Sequence, residues 1–204
     1  MFEIMVFPKH MRKCWLIFLL IFVSLATKAQ NFNAMLIAGM NASQVNGDSL
    51  IGFNKVGLQI GAGIESKFSP KTGIRFEFLY TQKGSSSVND SASIALEPFR
   101  LRLNYVEVPV YIFYQASKKL NVEAGASLGL LLNAKFSNGF EFVDQTDAFF
   151  RTDYSIGGGV GYQIIDRLSA NLRSTVSLVN VAKRVNNSLG YYNLVTSFTL
   201  RYRL

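Results

Sequence analysis

The stretch K-V-G-L-Q-I-G-A-G-I-E-S-K-F, residues 55–68, decides the fold. Its even positions Val56, Leu58, Ile60, Ala62 and Ile64 are apolar; its odd positions Lys55, Gly57, Gln59, Gly61, Gly63, Glu65 and Lys67 are glycine, amide or charge. Period-two alternation over a run longer than an ordinary strand predicts β structure and not helix. The polar face identifies the surroundings. A face turned to water carries Thr, Lys and Glu along its length. Three glycines among a few charges suit a narrow, crowded, polar interior, which turns the aliphatic face outward, toward lipid.

The same alternation recurs along the chain. Phe32–Ala42 places Phe32, Ala34, Leu36, Ala38 and Met40 on one face, with Met35 and Ile37 blurring the other. Gly73–Lys83 opposes Ile74, Phe76, Phe78 and Tyr80 to Arg75, Glu77, Thr81 and Lys83, with Leu79 among the polar set. Leu101–Tyr114 changes phase at Asn104, which predicts a β-bulge there, and Pro109 predicts a second irregularity. Val122–Phe136 is the longest clean alternation. Asp153–Ile164 pairs an apolar face with Gly157, Gly159 and Gly161, and Leu168–Val181 and Tyr192–Leu204 complete the set. The connections alternate long and short, the rhythm of bacterial outer-membrane barrels with short periplasmic turns and longer outer loops. Each run is long enough to cross the hydrocarbon as a tilted strand, which takes about 9–11 residues. The expected fold is therefore all-β: an eight-stranded antiparallel up-and-down transmembrane β-barrel in the outer membrane, multi-pass, with both termini periplasmic. A soluble lipocalin-like barrel shows the same alternation turned inside out. Against it stand the Gly-rich polar face, the apolar face of full membrane length, and tyrosines 80, 114, 154, 162, 192 and 202 near strand ends, as in an aromatic girdle.

The N-terminus reads as a signal peptide over residues 1–29: Arg12-Lys13 is the basic region, Cys14–Leu25 the apolar region, and Thr27-Lys28-Ala29 directs cleavage between Ala29 and Gln30. Met11 begins a better signal peptide than Met1, so residues 1–10 read as an over-extended start. The barrel domain is then residues 30–204. Removing 1–29 removes the only Cys, Trp and His and leaves 17 basic against 12 acidic side chains, a net +5. Dispersed charges of this kind form no nucleic-acid patch. Without imidazole or thiol there is no His-based acyl-transfer machinery and no soft metal ligand. The expectations are no enzyme activity, no metal and no cofactor. A Ser–Lys pairing of Ser85–Ser87 with Lys83, and weak Ca²⁺ binding by the acids Glu141, Asp144 and Asp147, read more simply as loop. Phe149-Phe150 reads as a contact patch or the start of the next strand.

An eight-stranded barrel is just wide enough for its own side chains. The inward charges comprise Lys55, Glu65, Lys67, Arg75, Glu77, Lys83, Glu107, Glu123, Lys135, Asp153, Arg173, Arg201 and Arg203. All of these except Lys83 and Arg203 are assigned to an internal ion-pair network that plugs the lumen. The expected role is structural or interactive within the cell envelope. The alternatives are a narrow channel for ions or small solutes and a soluble exported lipid-binding barrel.

The segment Tyr105-Val106-Glu107-Val108-Pro109, the Gly-rich strand after Asp153 and the C-terminal Phe198-x-Leu200-x-Tyr202-x-Leu204 resemble the PorT-type outer-membrane β-barrel proteins. Leu204 departs from the aromatic residue that ends many such barrels. The resemblance implies an outer-membrane barrel in contact with lipid and inserted by the barrel-assembly machinery. A member of the family is associated with a protein-secretion system, but that role does not transfer with the motif. The expected partners are envelope or secretion-system proteins, and the dispersed charges exclude nucleic acid.

Overall fold

The computed structural model describes residues 32–46, 53–87, 99–183 and 190–204. The expected signal peptide, with its Ala29–Gln30 cleavage site, lies outside the described residues. The strands are β1 (Phe32–Asn46), β2 (Lys55–Lys67), β3 (Thr72–Ser86), β4 (Arg100–Gln115), β5 (Leu120–Ser137), a short β6 (Phe142–Asp144), β7 (Thr152–Ile165), β8 (Leu168–Ser177) and β9 (Tyr192–Arg203). Every pairing is antiparallel, β9 returns to β1, and β4 pairs with β5, so eight strands close on themselves while β6 is an annex on the upper part of β5. Closure gives every strand a hydrogen-bonded neighbour on both sides, the condition for crossing lipid.

Sidedness follows the parity of the opening stretch. Leu58 and Ile60 are 47% exposed, while Gln59 and Glu65 between and beyond them are buried. Phe78, Ile112, Leu130, Leu172 and Phe198 continue the outer face around the barrel, all about half exposed or more. Large apolar side chains out and charges in is the reverse of a lipocalin, and the apolar surface is far larger than an ordinary soluble monomer carries. Gly61 sits in register between Ile37 and Leu79, two large inward side chains. A Cβ there would strike the Phe78 carbonyl oxygen, so glycine lets the sheet coil tightly enough to close. Met35, Ile37 and Leu79, which blurred the polar faces in the sequence, form a small buried apolar cluster inside.

Three sequence expectations are corrected. First, the irregularity at Asn104 does not invert the faces of β4. The register steps from Asn104↔Asn133 to Tyr105↔Leu131, so the extra residue is Leu132 on β5. Leu103 and Tyr105 therefore stay inward, both fully buried, and the phase change falls on β5, where Ala134 turns inward and Lys135 outward. Second, β8 ends at Ser177; the chain then leaves the barrel wall, and Ala182 bridges to Phe149. Third, Phe149 is a buried plug residue and Phe150 is exposed, and neither begins β7. At Pro109 the β3–β4 register passes from Phe76↔Val110 to Leu79↔Glu107 with no pairing across the proline, the consequence of its missing N–H.

The turns at Phe68–Lys71, Ala116–Lys119 and Asp166–Arg167 share one end of the barrel with the start of β1 and the end of β9, where the Leu204 N–H donates to the Ala34 carbonyl at 3.0 Å. The long connections share the other end. Leu58→Arg places a cation on the lipid-facing outer wall, in the upper part of β2 where Leu58 stands opposite Gln82, and is expected to cost about 1–2 kcal/mol, between the interface and midplane values. The check is the refolding equilibrium in lipid vesicles, with the heat-modifiable folded band lost in cells.

Candidate functional site

Inside the barrel the inward positions of different strands converge on Glu123 of β5. Its carboxylate accepts from both Nη atoms of Arg201 at 3.1 Å, from Arg173 Nε at 2.8 Å, from Asn171 Nδ2 at 3.2 Å and from Arg75 Nη1. Arg173 forks across Glu77 at 2.7 and 3.0 Å, and Arg201 Nη2 lies 3.1 Å from the same carboxylate. Arg75 also donates to Glu65 at 2.9 Å, and Arg203 at the turn-end rim reaches Glu65 at 3.2 Å. A second group lies toward the long loops: the Lys83 ammonium sits 2.6 Å from Glu107 and 3.0 Å from Asp153, whose Oδ2 also accepts from Asn193 at 2.9 Å. Aromatic faces cover three of the cations: Arg173 over Tyr111 at 3.9 Å, Arg75 over Phe113 at 4.7 Å and Lys83 over Tyr105 at 4.8 Å.

Glycines space this network. Gly129 lies in register between Glu107 and Asp153, and Gly159 between Glu123 and Arg173. A Cβ at Gly159 would lie 2.6 Å from the Leu172 carbonyl oxygen, so the bare backbone is what lets the flanking charged side chains share one level. The inward charges are Arg75, Lys83, Arg173, Arg201 and Arg203 against Glu65, Glu77, Glu107, Glu123 and Asp153, so they balance. Balance is required where an unpaired ion costs several kcal/mol to desolvate.

Of the residues the sequence assigned to this network, Glu65, Arg75, Glu77, Glu107, Glu123, Asp153, Arg173 and Arg201 meet in it, and Lys83 and Arg203 join them. Lys55, Lys67 and Lys135 do not, and these are corrections. Lys67 is exposed at the turn-end rim. Lys55 is at the long-loop rim, its ammonium on the Val56 carbonyl at 3.2 Å. Lys135 is turned outward by the Leu132 bulge. The aromatic covers and Asn193 were missed because nothing in a strand pattern separates an inward tyrosine from a girdle tyrosine. Lys83, held by two carboxylates, is committed away from the Ser85–Ser87 run. No cluster of three or more acidic, His or Cys groups placed to hold a metal occurs among the described residues.

Above the charges, Val45, Leu103, Tyr105, Leu131, Ala134, Phe149, Val181 and Ala182 form an apolar stopper. Over it opens a recess of about 520 Å³ at the long-loop mouth, lined by Leu101, Phe136, Phe149 and Tyr191 among others. The loop from β5 to β7 folds across this mouth through β6 and a 3₁₀ turn, Thr146–Ala148. There the Thr146 backbone N–H donates to Asp144 at 2.9 Å and holds that carboxyl below its ordinary range. The voids among the charged residues are small, about 30 Å³ at the turn end and about 10 Å³ beside Tyr111.

A family model described as outer membrane protein beta-barrel domain matches residues 28–183. No curated protein matches the sequence. Among solved structures, the chain is similar to Ail, the attachment invasion locus protein of Yersinia pestis, crystallised with the heparin analogue sucrose octasulfate: 15% identity, TM-score 0.50, covering 84% of this chain and 99% of that one. It is also similar to Neisserial surface protein A, at 14% identity and TM-score 0.53, covering 85% of this chain and 97% of that one. At such identities these likenesses speak for the fold alone.

Glu123→Gln keeps the shape of the hub and removes its charge, leaving three buried arginines short of a counter-ion. It is expected to lower stability by on the order of 3–5 kcal/mol, whereas Lys55→Gln and Lys135→Gln leave it nearly unchanged. Urea titration of the refolded barrel in micelles measures all three.

Proposed function

The chain belongs to the outer membrane protein β-barrel domain family, and from that premise we propose that it is a non-conducting, non-catalytic envelope barrel acting through its long-loop end. The observation that carries this reading is the lumen. Glu123 and its arginines close the shaft at one level, Lys83 with Glu107 and Asp153 close it again, and the apolar stopper lies beyond. The void lined by Glu65, Arg75 and Arg201, about 30 Å³, has room for on the order of one water molecule, far from a continuous aqueous path. The narrow-channel alternative requires this network to part. The soluble lipid-carrier alternative has the apolar belt on the wrong side.

In this reading the short turns and both chain ends face the periplasm and the long loops face outward, the usual arrangement of such barrels. Insertion then falls to the barrel-assembly machinery, and partners among envelope proteins meet the loops, where variable recognition resides. A PorT-type secretion role rests on the Tyr105–Pro109 motif. In this chain Tyr105, Glu107 and Pro109 all point into the shaft, so the motif supports kinship in barrel architecture, and a secretion partner would have to be recognised by the loops.

Planar-bilayer recording tests the proposal. The wild-type protein is expected to insert, shown by protease protection, and pass no discrete current, while a double variant Glu123→Ala, Arg173→Ala that still folds passes ions. Reproducible unitary currents from the wild type would favour the channel.

A further inference from the structure

The outer face of β3, β4 and β5 changes character in register at the long-loop end. The last apolar rung is Tyr80↔Val106↔Leu130. The next is amide, Gln82↔Asn104↔Asn133, with Asn104 Nδ2 donating to Asn133 at 2.7 Å. The rung above it is Gly84↔Arg102↔Lys135. Two cations thus stand directly opposite each other on neighbouring strands, an arrangement that is destabilising by itself. Gly84 supplies no counter-charge. On the far side of Lys135 stands Asp144 of β6, the one carboxylate in the row, bonded to the Thr146 N–H at 2.9 Å and near enough to Lys135 and Arg151 to feel their charge, so a single carboxylate faces a surplus of cations. Neither Arg102 nor Lys135 makes an ion pair with a described residue. Arg102 lies over the Phe142 ring at 4.5 Å, which orients its planar fork. Exposed Arg100 sits one outward position higher on β4, and Lys55 of β2 is near enough to Arg102 to feel its charge.

Height matters as much as sign. Successive rungs are two residues apart, about 5 Å along the membrane normal for a strand tilted as in such barrels. With the hydrocarbon edge at the amide rung, Arg102 and Lys135 stand about 5 Å beyond it, inside a headgroup layer about 5–7 Å deep. We infer that Arg102 and Lys135, flanked by Lys55 and Arg100, form a docking site on the outer wall for the phosphate groups of a phosphorylated lipid headgroup. An anion there turns a like-charge repulsion into a bridge, with the Arg102 fork matched to phosphate oxygens. Placing this lipid in the outer leaflet rests on the orientation proposed above; the site itself does not.

The test uses refolded protein in uncharged micelles and three probes: diphosphorylated lipid A, the same acylated sugar without its phosphates, and inorganic phosphate. Lipid A is expected to bind and raise the unfolding midpoint, the dephosphorylated lipid to do neither, and inorganic phosphate to have little effect at the same concentration. Each cation removed should weaken lipid A binding about fivefold, and Arg102→Ala with Lys135→Ala about twenty-five-fold, at about 1 kcal/mol per surface cation. Without lipid, Arg102→Ala should fold as well as the wild type or better, since the repulsion is relieved; with lipid A the order should reverse, which a merely structural arginine would not produce. Equal binding of the dephosphorylated lipid, undiminished binding by the double variant, or an inorganic phosphate effect equal to that of lipid A would each overturn the inference. Phosphate-dependent binding in micelles together with periplasmic exposure of the long loops in cells would instead overturn the orientation.

Discussion

The rest of the structure depends on the charge balance around Glu123. Eight strands enclose a shaft too narrow for a water column, so any ion placed inside must be neutralised by another side chain. Glu123 meets Arg75, Arg173 and Arg201, which come from β3, β8 and β9. Such pairs gain little net stability over apolar packing, because desolvation offsets their attraction, but they penalise mismatch severely. Their value here is register. Sliding β5 by one residue would send Glu123 to lipid and Val122 or Ala124 to three arginines. Strands that are uniformly aliphatic outside carry little register information on that face, so the interior has to supply it.

The same demand orders the shaft along its axis. Charge pairs and the glycines that seat them occupy the part surrounded by lipid. Towards the long loops the inward positions become apolar, ending in Val45, Leu103, Leu131 and Phe149. An apolar stopper gains from burial without needing charged partners, so it closes the mouth without fixing register. The two kinds of filling divide the labour: geometric specification in the shaft, closure at the mouth.

This division explains which features were legible in the sequence. The fold was, because lipid outside and a crowded interior impose period-two alternation on every crossing, with glycine on the inner face of several, Lys55–Lys67 most plainly. Eight of the network residues were too, since parity alone points Glu65, Arg75, Glu77 and Glu123 inward. Parity fails at strand ends. Lys55 and Lys67 have inward parity but sit at the rims, where a long stem carries the charge to water. It fails again where an apolar residue lies inside: Leu103 and Tyr105 look like lipid-facing residues until the stopper is known, and reading them so moved the bulge from Leu132 to β4. The pairing itself was hidden, because Arg173 and Glu77 are adjacent only after the barrel has closed.

The Tyr105-Val106-Glu107-Val108-Pro109 segment shows what a sequence resemblance of this kind carries. Its alternate residues all face the shaft: Tyr105 covers the Lys83 ammonium, Glu107 binds it, and Pro109 lines the narrow void beside Tyr111. Val106 and Val108 meet lipid, where any aliphatic residue would serve. In this chain the motif is thus a solution to seating a lysine in a dry interior. The outward rung Arg102↔Lys135 is of the other kind, since no requirement of barrel closure explains it. Agreement at this motif therefore bears on the inside of the wall and carries no information about partners, because Tyr105, Glu107 and Pro109 all face the shaft.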